Sequence, residues 1–121
     1  MPVASEVADG ILTLRMIGEY TPDDIRAAIF AASDAHPGRI VGLVFDVSAS
    51  GALATRGSDE IRNMVAFLGR EAARYGRRLA LVGASDVAYG LMRLASVSVP
   101  ETQVMTETFR DQATARAWLR G

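Results

Sequence analysis

The sequence contains no cysteine and no lysine, and it has a single histidine, His36. Without cysteine the chain has no disulfides, no thiolate metal site and no cysteine nucleophile. Without lysine it lacks the side chain that Schiff-base chemistry and nucleotide phosphate loops require. One histidine is too few for a histidine-rich metal site, and no cofactor motif is present. We therefore predict neither a metal nor a cofactor.

Long apolar runs and an excess of one charge are also missing. The run Ile40 to Phe45 spans six residues, far fewer than the roughly 20 that a membrane-spanning helix needs. The N-terminal segment has neither the basic start nor the apolar stretch of a signal peptide, which predicts a cytoplasmic location. The net charge is −1, so we expect no general attraction to nucleic acid or to an anionic membrane.

What the sequence does contain is the composition of one globular domain. It has 121 residues, of which 50% are hydrophobic and 22% charged. A chain of this length can bury about two-thirds of the surface that its unfolded form exposes. Because no repeat, linker or low-complexity tract divides it, we predict a single domain spanning residues 1–121.

The first third of the chain predicts a hairpin followed by a helix. Asp9-Gly10 suits both positive-φ positions of a type I′ turn, and apolar residues flank it on both sides. Thr21 is a good N-cap, and Pro22 fits the first helical turn. The segment from His36 to Gly38 ends this helix.

Helices and strands alternate through the rest of the chain. Two apolar runs, Ile40 to Phe45 and Leu79 to Val82, are typical of strands buried on both faces at the centre of a parallel sheet. Helical patterns follow Ser58, Ser85 and Asp111, and the segment from Gln103 to Phe109 alternates like a strand nearer the edge. The order β-β-α-β-α-β-α-β-α predicts an α/β fold. Its sheet is mixed and largely parallel, with an N-terminal β-hairpin and about four helices.

Several stretches of the second half resemble a known family. They are Leu79 to Val82, Tyr89 to Arg93, Phe109 to Asp111 and Ala117 to Leu119. They are similar to the STAS/Sec14-type branch of the SpoIIAA-like family, which is related to the anti-sigma-factor antagonists. The resemblance covers nearly the whole chain and implies a SpoIIAA-like (STAS-type) fold. It also implies a regulatory module for a protein partner or small ligand or, alternatively, a carrier of an apolar or lipid-like ligand.

The antagonists of this group carry an Asp-Ser-Ser-Gly motif after the central strand, and a partner kinase phosphorylates the second serine. Counted from Asp46, the matching stretch is Ala54 to Gly57, which puts Arg56 at the phosphoacceptor position. A guanidinium cannot accept phosphate as serine does, so we expect no serine switch at that position. Gaps in the alignment would leave Thr55 or Ser58 as alternative acceptors.

The loop between Asp46 and the next helix is a candidate binding site in its own right. It leads from a central strand to a helix N-terminus, where free N–H groups favour anions. Thr55, Arg56 and Ser58 are therefore candidates for contact with an anion or a partner; the alternative is an ordinary loop with a solvated arginine. Ser85 and Asp86 follow the neighbouring strand, where they either line the same cleft or simply cap a helix.

The region from Tyr89 to Val99 is apolar on more than one face. The helical spacing predicts that four of the apolar side chains near it face inward: Val87, Leu91, Leu94 and Ala95. The region has more apolar side chains than one buried helix face requires. These additional side chains line a pocket, form a homodimer contact or belong to the core, and the candidates are Tyr89, Leu91, Met92 and Val97. A dry pocket favours the carrier, whereas a flat exposed patch favours the partner-binding module. Arg93 is a candidate interface or cleft guanidinium in this region.

The sequence contains no coherent set of nucleophile and base. We therefore predict a non-catalytic cytoplasmic module, and a homodimer through the apolar surplus. A small enzyme using Asp46, Ser85 and Asp86 is the least favoured alternative. Asp46 ends a buried strand, and we expect it to orient the following loop through backbone N–H groups.

Overall fold

The computed structural model describes residues 3–17, 20–48, 58–97, 99 and 104–121, with the backbone alone for 58–60. Within these ranges the strands are β1 (Val3–Ala8), β2 (Ile11–Met16), β3 (Gly42–Asp46), β4 (Arg78–Val82) and β5 (Met105–Phe109). The α-helices are α1 (Pro22–Ala35), α2 (Ser58–Arg70), α3 (Asp86–Ser96) and α4 (Gln112–Arg120). A short 3₁₀ helix, Ala72–Arg74, follows α2.

The described strands form one sheet in the order β1-β2-β3-β4-β5. The pair β1 and β2 is antiparallel, and the other neighbours are parallel. Asp9 and Gly10 connect the first pair with φ values of 54° and 78°, as a type I′ turn requires. The predicted α/β fold, with its mixed, largely parallel sheet and N-terminal hairpin, is confirmed.

Both faces of the sheet are covered at its centre. On one face α1, α2 and α3 bury the larger core, which includes Leu14, Phe45 and Leu81. On the other face α4 packs Ala115 and Leu119 against a smaller cluster. All five residues of β3 are buried, which confirms that the central strand is covered on both sides.

Local sequence signals fix the helix ends. Thr21 caps α1 through a capping box with Asp24, in which each side chain bonds the backbone N–H of the other residue. The helix after Ser58 is shorter than its apolar pattern suggests, because α2 ends at Arg70 and the chain continues into the 3₁₀ helix. Tyr75 lies beyond both helices, and its hydroxyl donates to the carbonyl of Leu68 at 2.6 Å.

The predicted inward face of α3 is wrong for two of its four residues, since Val87 is 65% exposed and Leu94 47% exposed. Ala95 is buried as predicted, and Leu91 is half-buried against the core. The buried residues of the helix are Ala88, Met92 and Ala95. Gly83 explains the rotation, because a Cβ there would lie 2.7 Å from the carbonyl carbon of Ala88. The helix approaches the end of β4 so closely that a small residue must occupy the contact.

Candidate functional site

Asp46 is the buried acid at the carboxyl end of β3, with 5% of its surface exposed. Its Oδ1 accepts a hydrogen bond from the Ser48 backbone N–H at 2.9 Å. Its Oδ2 accepts one from Nε2 of Gln112 at 2.6 Å. The expected role in orienting the following loop is confirmed for this first turn of the loop.

The Asp46 carboxylate belongs to a network that sequence reasoning missed. Oε1 of Gln112 accepts a bond from Arg116 at 3.3 Å, and the same Arg116 nitrogen donates to the Thr13 hydroxyl at 3.1 Å. The network therefore ties α4 to β2 and β3. The available signal was the four-residue spacing of Gln112 and Arg116, which puts both on one face of α4.

The loops that follow β3 and β4 lie side by side. The Ala84 backbone N–H donates to the Ser48 hydroxyl at 3.1 Å, and the Val47 N–H donates to the carbonyl of Val82 at 3.0 Å. Ser85 is the N-cap of α3, and its hydroxyl accepts from the Ala88 N–H at 3.0 Å. Capping is thus the structural role of Ser85.

Arg110 contacts both Asp86 and Tyr89, and it was not among the predicted site residues. Arg110, just after β5, donates to Asp86 Oδ1 at 2.7 Å. Its guanidinium carbon also lies 4.3 Å from the Tyr89 ring centroid. Both charged side chains are largely exposed, so the pair forms a polar border beside α3 rather than a buried charge.

The loop candidates lie at the limit of the described structure. Thr55 and Arg56 are outside the described residues. Ser58 is the first residue of α2, and its side chain is likewise outside the description. Contact with an anion at these three residues, and the loss of the serine switch at Arg56, stay predictions. Arg93 is exposed on α3, apart from the loops that follow β3 and β4.

The apolar candidates do not form one group. Met92 belongs to the core, Tyr89 and Leu91 are half-buried, and Val97 is 79% exposed. A different set of residues is aligned on the outside of α3, and we call it the α3 outer surface: Val87, Gly90, Leu94 and Val97. At Gly90, in the described part of the chain, no atom beyond the two adjacent residues and the backbone of α3 lies within 4 Å of the position a Cβ would take. This surface is open and apolar.

A cavity lies at the end of α3. It has a volume of about 320 Å³ and is lined by Ser96, Val97, Val99, Val104 and Thr106. Of the predicted apolar candidates, Val97 lines this cavity.

Within the described ranges, no three acidic or histidine side chains are grouped so that they could hold a metal ion. No helix in the same ranges is long and apolar enough to cross a membrane.

This architecture is a SpoIIAA-like fold. The chain is similar to the crystal structure of an uncharacterized protein of the DUF3478 family with a SpoIIAA-like fold, from Shewanella loihica PV-4. The two are 18% identical, with a TM-score of 0.60 over 97% of this chain and 91% of the other. No family model and no curated protein matches the chain. The predicted SpoIIAA-like fold is confirmed, and at this identity the likeness shows the fold alone.

Proposed function

We propose that the chain is a non-catalytic cytoplasmic regulatory module that binds a protein partner through the α3 outer surface. The observation that carries the proposal is the exposure of Val87, Leu94 and Val97, at 65%, 47% and 79%. These aliphatic side chains recur seven and three residues apart, so they follow one side of the helix. An aligned, exposed apolar surface of this kind is typical of a protein–protein contact.

The surroundings of the α3 outer surface fit an interface. Gly90 lies between the aliphatic residues and leaves open space for the backbone or side chains of a partner. Exposed Arg93 and the ion pair of Asp86 with Arg110 supply a polar border. An apolar centre with a polar rim is the usual anatomy of a specific interface.

The hydrogen bonds and the ion pair of the candidate catalytic residues support the proposal that the protein is not an enzyme. Both carboxylate oxygens of Asp46 accept hydrogen bonds from neighbouring groups. The Ser85 hydroxyl caps α3, and Asp86 is paired with Arg110. Structural roles account for all three residues.

The test is capture of the partner by tagged protein with a variant of the surface and a matched control. We expect Leu94→Glu to abolish capture, because a charge is placed at the centre of the apolar surface. Met105→Glu changes a somewhat more exposed apolar residue, 57% accessible on β5, and should retain the partner. Circular dichroism should show both variants folded. Equal capture by the wild type and Leu94→Glu, or loss of capture in both variants, would refute the assignment.

The cavity at the end of α3 supports a second candidate, a carrier of a small apolar ligand. Its volume of about 320 Å³ is at the lower end of the range for ligand pockets. Its lining combines three valines with the hydroxyl-bearing residues Ser96 and Thr106. Native mass spectrometry of the purified protein tests this candidate, since a retained apolar molecule supports it and an unmodified mass contradicts it.

A further inference from the structure

One edge of the sheet is formed by β1, which among the described strands pairs with β2 alone. The pairing is uninterrupted over six residues, from Val3 opposite Met16 to Ala8 opposite Ile11. Exposed edges are commonly protected by a bulge, a proline or charged side chains, lysine above all. Over Val3–Ala8, β1 has no bulge, proline or lysine, and its charged residue is Glu6. Its outer edge is therefore suited to pairing with another strand.

The hairpin turn determines which backbone groups of β1 point outward. Its loop has two residues, so the flanking residues Ala8 and Ile11 form a hydrogen-bonded pair. Such pairs alternate along an antiparallel ladder, so Glu6 and Ala4 also direct their backbone groups to β2. The N–H and C=O groups of the intervening residues face away from the sheet: Val3, Ser5 and Val7.

A second copy of β1 matches these groups when it runs antiparallel with Ser5 opposite Ser5 of the second copy. Val3 then lies opposite Val7 of the second copy, and the reverse pair is equivalent by the two-fold symmetry. Every outward N–H and C=O finds a partner, which gives up to about six hydrogen bonds. A register centred on a neighbouring residue would leave some of them unpaired.

Charged side chains on the α4 side of the hairpin also become complementary between the two copies in this register. Glu6 and Arg15 project from the same sheet face, since Glu6 is paired with Thr13 and Arg15 with Ala4. Both side chains are exposed, and in the described part of the chain neither has a charged or hydrogen-bonding partner. Glu6 would lie opposite Ala4 of the second copy, with Arg15 of that copy one strand further on.

The distance between these charges is suitable for an ion pair. Two strand spacings are roughly 10 Å, which the side chains of Glu6 and Arg15 span together. The small side chain of Ala4 lies between them and does not obstruct the contact. Symmetry provides the pair twice, once on each side of the axis.

The space beside β1 allows a second copy to approach. A depression of about 240 Å³ lies between β1 and α1, and it is lined partly by Ala31, Ala32 and Ala35. A second depression, of about 180 Å³, lies on the opposite face and includes Glu6 and Arg15. Side chains of an added strand enter such spaces alternately, and the alanines allow two copies of α1 to lie close together.

We infer that the protein forms a two-fold dimer in which the β1 strands of two copies pair about Ser5 and join the two sheets. The apolar residues of the sequence predict a dimer contact elsewhere, at Tyr89 to Val99, near the other edge of the sheet. The β1 contact leaves the α3 outer surface free on both copies. It is therefore independent of the proposed function.

Sedimentation velocity over micromolar to sub-millimolar concentrations tests the dimer and its charge pairs. We expect Glu6→Arg and Arg15→Glu each to raise the dimer dissociation constant by about fivefold or more, because two ion pairs become repulsive contacts. The double variant exchanges the charges and should restore dissociation to near the wild-type value. A monomer throughout the concentration range, or a double variant no tighter than the single ones, overturns the inference.

A second pair of variants locates the contact. Ser5→Pro removes the outward N–H at the symmetry axis, where an edge strand tolerates proline, and should yield a folded monomer. Leu94→Glu should leave the dimer intact. If instead Leu94→Glu abolishes the dimer and Ser5→Pro does not, the dimer contact lies on α3 and not on β1.

Amide exchange gives an independent signature of strand pairing. On dimerisation the Ser5 and Val7 amides should become protected, whereas Glu6 is protected in both states; unchanged exchange at Ser5 refutes strand pairing.

Discussion

Replacing Asp46 by asparagine tests the polar network that joins α4 to the centre of the sheet. The Asp46 carboxylate accepts from the Ser48 N–H and from Gln112 Nε2. Asparagine keeps one acceptor oxygen for the Ser48 N–H, but its amide nitrogen would oppose the Gln112 amide nitrogen. Rotation of the Gln112 amide would relieve that contact and then set its nitrogen against Arg116, which now donates to Oε1.

The expected magnitude follows from the burial of the site. Asp46 is 5% exposed and its bond with Gln112 is 2.6 Å long, so water cannot readily replace the lost partner. A hydrogen bond to a charged group contributes about 1.5–3 kcal/mol. We therefore expect Asp46→Asn to lower the free energy of unfolding by about 2 kcal/mol. Asp34→Asn on the exposed surface of α1 is the matched control and should change it by less than about 0.5 kcal/mol.

A double-mutant cycle separates this contact from general disruption. Gln112→Glu alone sets a second carboxylate against Asp46 and should cost at least as much as Asp46→Asn. Combining the two substitutions places an amide donor opposite a carboxylate, which also still accepts from Arg116. The double variant should then lie within about 1 kcal/mol of the wild type, a coupling of at least about 3 kcal/mol.

Urea denaturation followed by circular dichroism measures all four members of the cycle. If the effects of the two single substitutions add in the double variant, no specific contact joins the two side chains. A cost of Asp46→Asn no larger than that of the Asp34→Asn control would likewise contradict the expected hydrogen bond. An unchanged m-value across the series is needed for the comparison, since it shows that all variants unfold the same surface.

Two further predictions concern the connection between α2 and β4. Burial raises the pKa of Tyr75 above its ordinary value of 10.0, so its folded form stays protonated while an unfolded tyrosine ionises. The stability it contributes is present below about pH 10 and lost as the pH rises further. Tyr75→Phe should cost about 1 kcal/mol at neutral pH through the bond to Leu68, and should reduce the loss of stability in urea titrations between about pH 9 and 11. An identical pH dependence in both proteins would contradict this. Gly76→Ala should cost about 2–4 kcal/mol by thermal denaturation, because φ is +90° and the new Cβ would lie 2.7 Å from the carbonyl carbon of Val41. Gly90→Ala, in open space on α3, is its control and should not destabilise the protein.

The sequence by itself determined the elements and their order, because the deciding interactions are local. Asp9-Gly10 supplies the positive φ values of the hairpin turn, and Thr21 caps its helix three residues away. The unbroken apolar run before Asp46 required cover on both faces of the sheet. The Asp46 bond to the Ser48 N–H was also predictable, since it spans two residues.

Only the tertiary structure decided which side of α3 faces the core. Two apolar stripes on that helix have acceptable spacing, and the close contact of Gly83 with Ala88 selects one of them. The choice leaves Val87 and Leu94 exposed, which creates the surface that we propose for a partner. Nothing within the helix itself distinguishes the two stripes.

The remaining features of the site join residues far apart in the chain. Asp46 and Gln112 are 66 residues apart, and Arg116 and Thr13 are 103 apart. Asp86 meets Arg110 across 24 residues. Such pairs depend on how α4 and β5 are placed against the sheet, and many placements are compatible with the same local pattern. Packing of the whole chain selects one of them and so determines the polar network, the border of α3 and the free edge of β1.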